Sequence, residues 1–163
     1  MADRITPEQR RLNMAAIHCR DTKPEMIVRR FLWSNGYRYR LNHPRLPGKP
    51  DIVLRSYRTC IFINGCFWHG HNVEFKAHEP ESSDCCKIPK TNTSFWIAKI
   101  GRNQEHDEDV LQKLKQMGWN TIVLWECQLK KKCREQTLRS LDHTLCKVFL
   151  KCNSNGQSEL PHS

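Results

Sequence analysis

Two β-branched, apolar runs constrain this chain more than anything else in it. TCIFIN occupies 59 to 64 and TIVLWE occupies 121 to 126, with a helical pattern between them. A strand, a helical crossover and a second strand make a parallel pair, and a strand apolar on both faces suits the interior of a sheet covered by helices. Before them, YRYRL at 37 to 41 alternates and DIVL at 51 to 54 follows the turn-rich HPRLPGKP. With a turn at Ser56-Tyr57, the runs at 37 to 41, 51 to 54 and 59 to 64 form a meander. The expected fold class is α/β, a central mixed sheet flanked by helices.

Helix boundaries are marked by capping residues. Thr6-Pro7-Glu8-Gln9 places an N-cap, an N1 proline and a reciprocal glutamine at the start of a helix running to about Ile17, with Arg10 and Arg11 on a basic face. Thr22-Lys23-Pro24-Glu25 opens a second helix that buries Ile27, Val28, Phe31 and Leu32 and is closed by Asn35-Gly36. Residues 67 to 90 show no period, and a loop that long inside a compact domain is usually functional or mobile. Thr93-Ser94 then caps a long helix through about Met117, with Gly101 as a candidate kink and Gly118 as its stop. A last helix covers about 134 to 150. The expected organisation is one domain over residues 1 to 152, with a disordered polar tail over 153 to 163.

The formal charge of +10, with Lys and Arg spread from Arg4 to Lys151, points to a polyanion partner or to a basic solvated surface, and composition leaves both open. No apolar run approaches the roughly 20 residues that span a bilayer, so no membrane role is expected. The charged N-terminus MADRITPEQRR lacks an apolar core, which places the chain in the cytoplasm. There, nine cysteines in a chain large enough to fold without bridges are better explained in part as metal ligands than as a disulfide scaffold. Cys66, His71, the Cys85-Cys86 pair and Cys127 together match a tetrahedral zinc site that ties the long loop to the sheet. A buried cysteine is also a small hydrophobe, and for Cys127 beside a strand that explanation competes. Cys19, Cys60, Cys133, Cys146 and Cys152 have no such grouping and are read as structural.

KPDIVL puts Asp51 after a proline at the start of an apolar strand, a layout in which a rigidly held carboxylate can bind Mg2+ or simply make a turn. His69 lies beside the zinc loop, and Asp107 falls on the long helix whose packing brings it toward the same sheet edge.

LPGKPDIVL, IFINGCFWHGH, IPKTNTSFW, KIGRN and VLWEC resemble, in order, the blocks of the very short patch repair (Vsr) DNA mismatch endonucleases, over about Met14 to Leu129. The resemblance implies a restriction-endonuclease-like fold with a structural zinc. It implies Mg2+-dependent nicking of one DNA strand 5′ of the thymine at T:G mismatches, which arise when 5-methylcytosine deaminates. It also implies a nucleoid-associated protein that acts alongside a DNA cytosine methyltransferase and a repair polymerase. By resemblance, Asp51 and the backbone carbonyl of Ile63 hold Mg2+, His69 is the general base, Asp107 orients it, and Glu25 reaches waters around the metal. Cys66, His71 and Cys127 match zinc ligands. The family's remaining cysteine is absent after HGH, so Cys86, or else Cys85, takes its place. Asn64 stands where the family commonly has a second histidine, and it cannot carry charge at neutral pH.

The resemblance also makes Phe67, Trp68 and Trp96 an aromatic wedge entering the duplex beside the mismatch, where unstacking costs a few kcal/mol and a mismatched step opens most cheaply. Met14 approaches from the minor groove, and Lys99 and Asn103 read the T:G edges. A monomer is expected, since one mismatch has no two-fold symmetry to match. Two other functions fit the residues: a restriction-type nuclease on the same fold, and a non-catalytic, zinc-stabilised DNA-binding module.

Overall fold

A computed structural model describes residues 6–15, 20–74 and 82–155. Its elements run α1 (Pro7–Ala15), α2 (Lys23–Ser34), β1 (Arg40–Leu41), β2 (Ile52–Leu54), β3 (Thr59–Asn64), α3 (Thr93–Gln116), β4 (Asn120–Trp125) and α4 (Arg134–Asn155). The expected end of the first helix at Ile17 lies outside the described residues. So does all of the tail beyond Asn155, although α4 carries residues 153–155 that were expected to belong to that tail.

Local chemistry sets the boundaries. At α1 the Gln9 N–H donates to Thr6 Oγ1 and the Thr6 N–H donates to Gln9 Oε1, which satisfies two amides reciprocally. At α2 the Glu25 N–H donates to Thr22 Oγ1, and Gly36, at φ 84°, turns the chain out after Ser34. Helix α3 departs from expectation at its start. Asn92 is its N-cap in a left-handed conformation without a side-chain bond, while Thr93 Oγ1 donates backward to the Pro89 carbonyl. The helix continues through Gly101 without interruption and ends before Gly118, at φ 80°.

The sheet order is β1-β2-β3-β4, with β1, β2 and β3 antiparallel and β4 parallel to β3, so the meander and the helical crossover both form. β1 is only two residues long where a run over 37 to 41 was expected, because Tyr37 turns into the core instead of pairing. The expectation of an interior strand at 121 to 126 is corrected: β4 is an edge. Its Ile122 and Leu124 pack on the helical core of one face while Val123 and Trp125 of the other line an open cleft, and apolar side chains do not fix how many hydrogen-bonded neighbours a strand has.

One face packs Ile52, Leu54, Ile61 and Leu124 against Val28 and Leu32 of α2 and Leu141 and Leu145 of α4. The other packs Val53 and Cys60 against Val110 and Leu114 of α3, with Leu46 above them. The result is three layers with the sheet in the middle. A third, smaller cluster of Val73, Cys86 and Ile100 anchors the loop after β3 to the start of α3. Cys133, Cys146 and Cys152 are exposed and fill no core, contrary to a structural reading, whereas Cys60 is fully buried. Cys19 lies outside the described residues.

Candidate active site and metal centre

β2 and β3 converge on Asp51. The Ile63 N–H donates to Asp51 Oδ2 at 2.7 Å, which fixes the carboxylate at the mouth of the sheet. Burial pushes this carboxyl up to about 6; the Glu25 charge adds to the rise, while the Ile63 N–H and His69 act against it. Glu25 is itself buried, accepting bonds from the Asp21 N–H and the Thr22 hydroxyl. Two carboxylates thus share a desolvated corner, a situation that a divalent cation relieves and an isolated fold does not favour.

After β3 the chain folds into successive tight turns. The His69 N–H donates to the Gly65 carbonyl, the His71 N–H to Cys66 and the Val73 N–H to Gly70, with Gly70 at φ 63°. These turns aim His69 toward α3, where its Nδ1 lies 2.6 Å from Asp107 Oδ2. The carboxylate holds that nitrogen, so Nε2 is the one available for proton transfer. Asp51, Glu25, Asn64, His69 and Asp107 all line one open cleft of about 1540 Å³, and Met14 of α1 lies on its rim.

Behind the cleft, Cys66, His71, Cys85 and Cys127 bring their ligand atoms within 4.8 Å of one another. His71 Nδ1 lies 3.2 Å from Cys85 Sγ and 3.3 Å from Cys127 Sγ, and its ring stacks on Trp125 at 4.1 Å. Three sulfurs and one nitrogen at these separations fit a tetrahedral ion with bonds of about 2.0–2.3 Å. Burial raises the Cys66 thiol to about 12 and also raises Cys127, so without a cation these sulfurs stay protonated. The preference for Cys86 is corrected. Cys86 is fully buried with Val73 and Ile100, its sulfur 3.9 Å from the Phe67 carbonyl, and Cys85 takes the place in the cluster.

The aromatic residues meet as a group. Phe67, Trp68 and Trp96 lie edge to face, with centroids 5.1 to 6.1 Å apart. Phe67 also packs on the Ile100 cluster, so it does not project freely. Lys99 Nζ lies 5.6 to 5.8 Å from the Trp68, Phe95 and Trp96 rings, and Asn103 Nδ2 donates to the Trp68 carbonyl.

Comparison with known proteins decides the family. The profile described as DNA mismatch endonuclease Vsr matches residues 2–75. The type II nicking enzyme V.NmeAIP of Neisseria meningitidis is 47% identical over 141 residues, 85% of this chain and 94% of that enzyme. The chain belongs to the Vsr DNA mismatch endonuclease family, and it is an endonuclease. DNA mismatch endonuclease Vsr of Escherichia coli is 38% identical over 130 residues, 80% of this chain and 77% of that protein. The type II nicking enzyme V.XorIIP of Xanthomonas oryzae is 40% identical over 129 residues, 79% of this chain and 88% of that enzyme.

Two contributors to this Vsr-family site escaped the sequence reading. Gln104 donates one amide group to both the Gly70 and Val73 carbonyls at 3.0 Å, pinning the histidine loop to α3. Nothing in the sequence marks it. Phe95 is 53% exposed beside Trp96, and its four-residue spacing from Lys99 was the signal that could have found it.

Proposed function

We propose that this endonuclease nicks one DNA strand 5′ of the thymine in a T:G mismatch, using Mg2+ at Asp51 and zinc as a structural ion. The observation that carries the reading is the 2.6 Å His69–Asp107 pair lining the same cleft as the buried Asp51. Asp51 and the Ile63 carbonyl would hold the cation, with Glu25 ordering waters around it. When bound, that ion offsets the negative charge that builds on the attacked phosphate. His69 accepts the proton of the attacking water at Nε2, and Asp107 fixes the tautomer and steadies the imidazolium that results. Asn64 sits at the cleft as a neutral hydrogen-bonding group for a phosphate oxygen or a water.

Cys66, His71, Cys85 and Cys127 would take zinc with no open position, which makes that ion structural. It stiffens the turns between the catalytic histidine and the Phe67, Trp68 and Trp96 rings. Those rings would enter the duplex beside the mismatch, with Met14 on the opposite groove and Lys99 and Asn103 at the base edges. The three-layer core supports assignment to the restriction-endonuclease fold. A monomer acting in the cytoplasm at the nucleoid, downstream of a cytosine methyltransferase and ahead of a repair polymerase, completes the reading. No helix among the described residues is long and apolar enough to cross a membrane.

The test offers purified protein and Mg2+ a labelled duplex with a central T:G, a matched T:A control and a methylated control. Nicking of the T strand in the mismatch alone is the expected result. Cutting of the controls would instead support a restriction-type nuclease, and binding without cutting a DNA-binding module.

A further inference from the structure

A second cavity, of about 500 Å³, lies where β1, the segment after it and the residue after β2 meet. It is lined by Arg40, Leu41, His43, Pro44, Arg45 and Arg55, with no carboxylate among them. Arg40 pairs across the sheet with Val53, which faces α3, so the Arg40 side chain lies on that same face. Strand alternation places Val53 on this face, and Arg55, the first residue of the short 3-10 turn Arg55–Tyr57 that follows β2, lines the same cavity. Among the described residues none of the three arginines has a side-chain hydrogen bond or ion pair, unlike Arg29, Arg58, Arg134 and Arg139. His43 Nδ1 is withdrawn from solvent and has no hydrogen-bond partner.

Three exposed guanidiniums without a carboxylate partner concentrate positive potential at this cavity, and the buried, unpaired ring nitrogen beside them costs about 1–3 kcal/mol. An anion answers both, since guanidinium forks match phosphate oxygens and a turn of the imidazole about its soft second torsion presents Nδ1–H to the same group. Asp51 to Arg55 spans four residues, about 13 Å along a strand. At roughly 3.4 Å of duplex rise per nucleotide, a site at that distance meets a phosphate flanking the cut and not the scissile one.

We propose that this cavity is a subsite for one backbone phosphate of the DNA strand flanking the nick. The subsite rests on the reading of DNA as substrate, and it places Arg40, Arg45 and Arg55 as clamps that set register on the duplex without reading bases.

The test measures binding of the wild-type protein and the Arg45→Ala/Arg55→Ala variant to T:G and matched T:A duplexes over a range of salt, with Mg2+ omitted so that no cutting occurs and no chelator added. Loss of one phosphate contact lowers the magnitude of the slope of log K against log salt by about 0.9 on either duplex. In a scan of single methylphosphonates, one position flanking the cut should weaken wild-type binding and leave the variant unaffected. Arg45→Lys/Arg55→Lys should keep the wild-type slope, and the exposed Arg139→Ala serves as control. An unchanged slope and an unchanged methylphosphonate profile in the double variant would overturn the subsite. So would a thermal shift of the wild type by inorganic phosphate without any difference in slope, which would assign the cavity to a free anion. Because the slopes are read on both duplexes, failure to discriminate T:G refutes the mismatch reading and leaves the subsite test intact.

Discussion

At Asp51 stability and function oppose each other. Its carboxyl titrates near 6 in the fold against an ordinary value of 3.8, so between those limits the folded state holds the extra proton. Stability contributed by this group is therefore present at low pH and is lost as pH rises through about 6; two units correspond to about 3 kcal/mol. With Mg2+ omitted, Asp51→Asn should melt higher than wild type at pH 7.5 and lose that advantage by pH 4, while nicking with Mg2+ present falls by at least about 100-fold. Equal melting temperatures at pH 7.5 would remove the buried charge from the account. At the partner position, His69→Ala should slow nicking by about 10²- to 10⁴-fold with duplex affinity retained. Asp107→Asn should slow it less and shift the pH–rate profile, because it disturbs the orientation and charge of the imidazole without removing it. Single-turnover rates measured across pH separate these outcomes.

Among the elements, the segment from Gly65 to Val73 matters most, since its turns serve the Cys66–His71–Cys85–Cys127 cluster on one side and the His69–Asp107 pair on the other. Elemental analysis should find one zinc per chain, lost in Cys85→Ser and kept in Cys86→Ser. The second variant should instead lose about 1–3 kcal/mol by placing a hydroxyl in the apolar cluster of Val73 and Ile100. Zinc lost from Cys86→Ser and kept in Cys85→Ser would reverse the assignment. The sequence could place both cysteines near the site, but adjacent residues point in different directions and only the backbone course decides which one turns inward. The same limit hid Gln104, whose role depends on where the loop carbonyls arrive.

For the whole molecule, α3 is both the cover of one sheet face and the bearer of Asp107, Lys99 and Asn103. Leu114 is fully buried under that face. Leu114→Ala should cost about 2–5 kcal/mol of stability and leave the nicking rate well below the melting temperature close to wild type. A matching loss of rate at low temperature would mean that the distal half of α3 tunes the site directly.

The sequence by itself determined the elements that rest on local chemistry: the reciprocal cap at Thr6, the N-cap at Thr22, the turns at Gly36 and Gly118, the meander and the parallel crossover. It also carried the family through short blocks of dense, unusual residues. Tertiary structure alone decided that β4 is an edge, that Cys85 and not Cys86 faces His71, and that three arginines line a second cavity. The reason is physical: caps and turns are settled within a few residues of chain, whereas edges, ligand geometry and charge clusters depend on segments far apart in sequence arriving at one place.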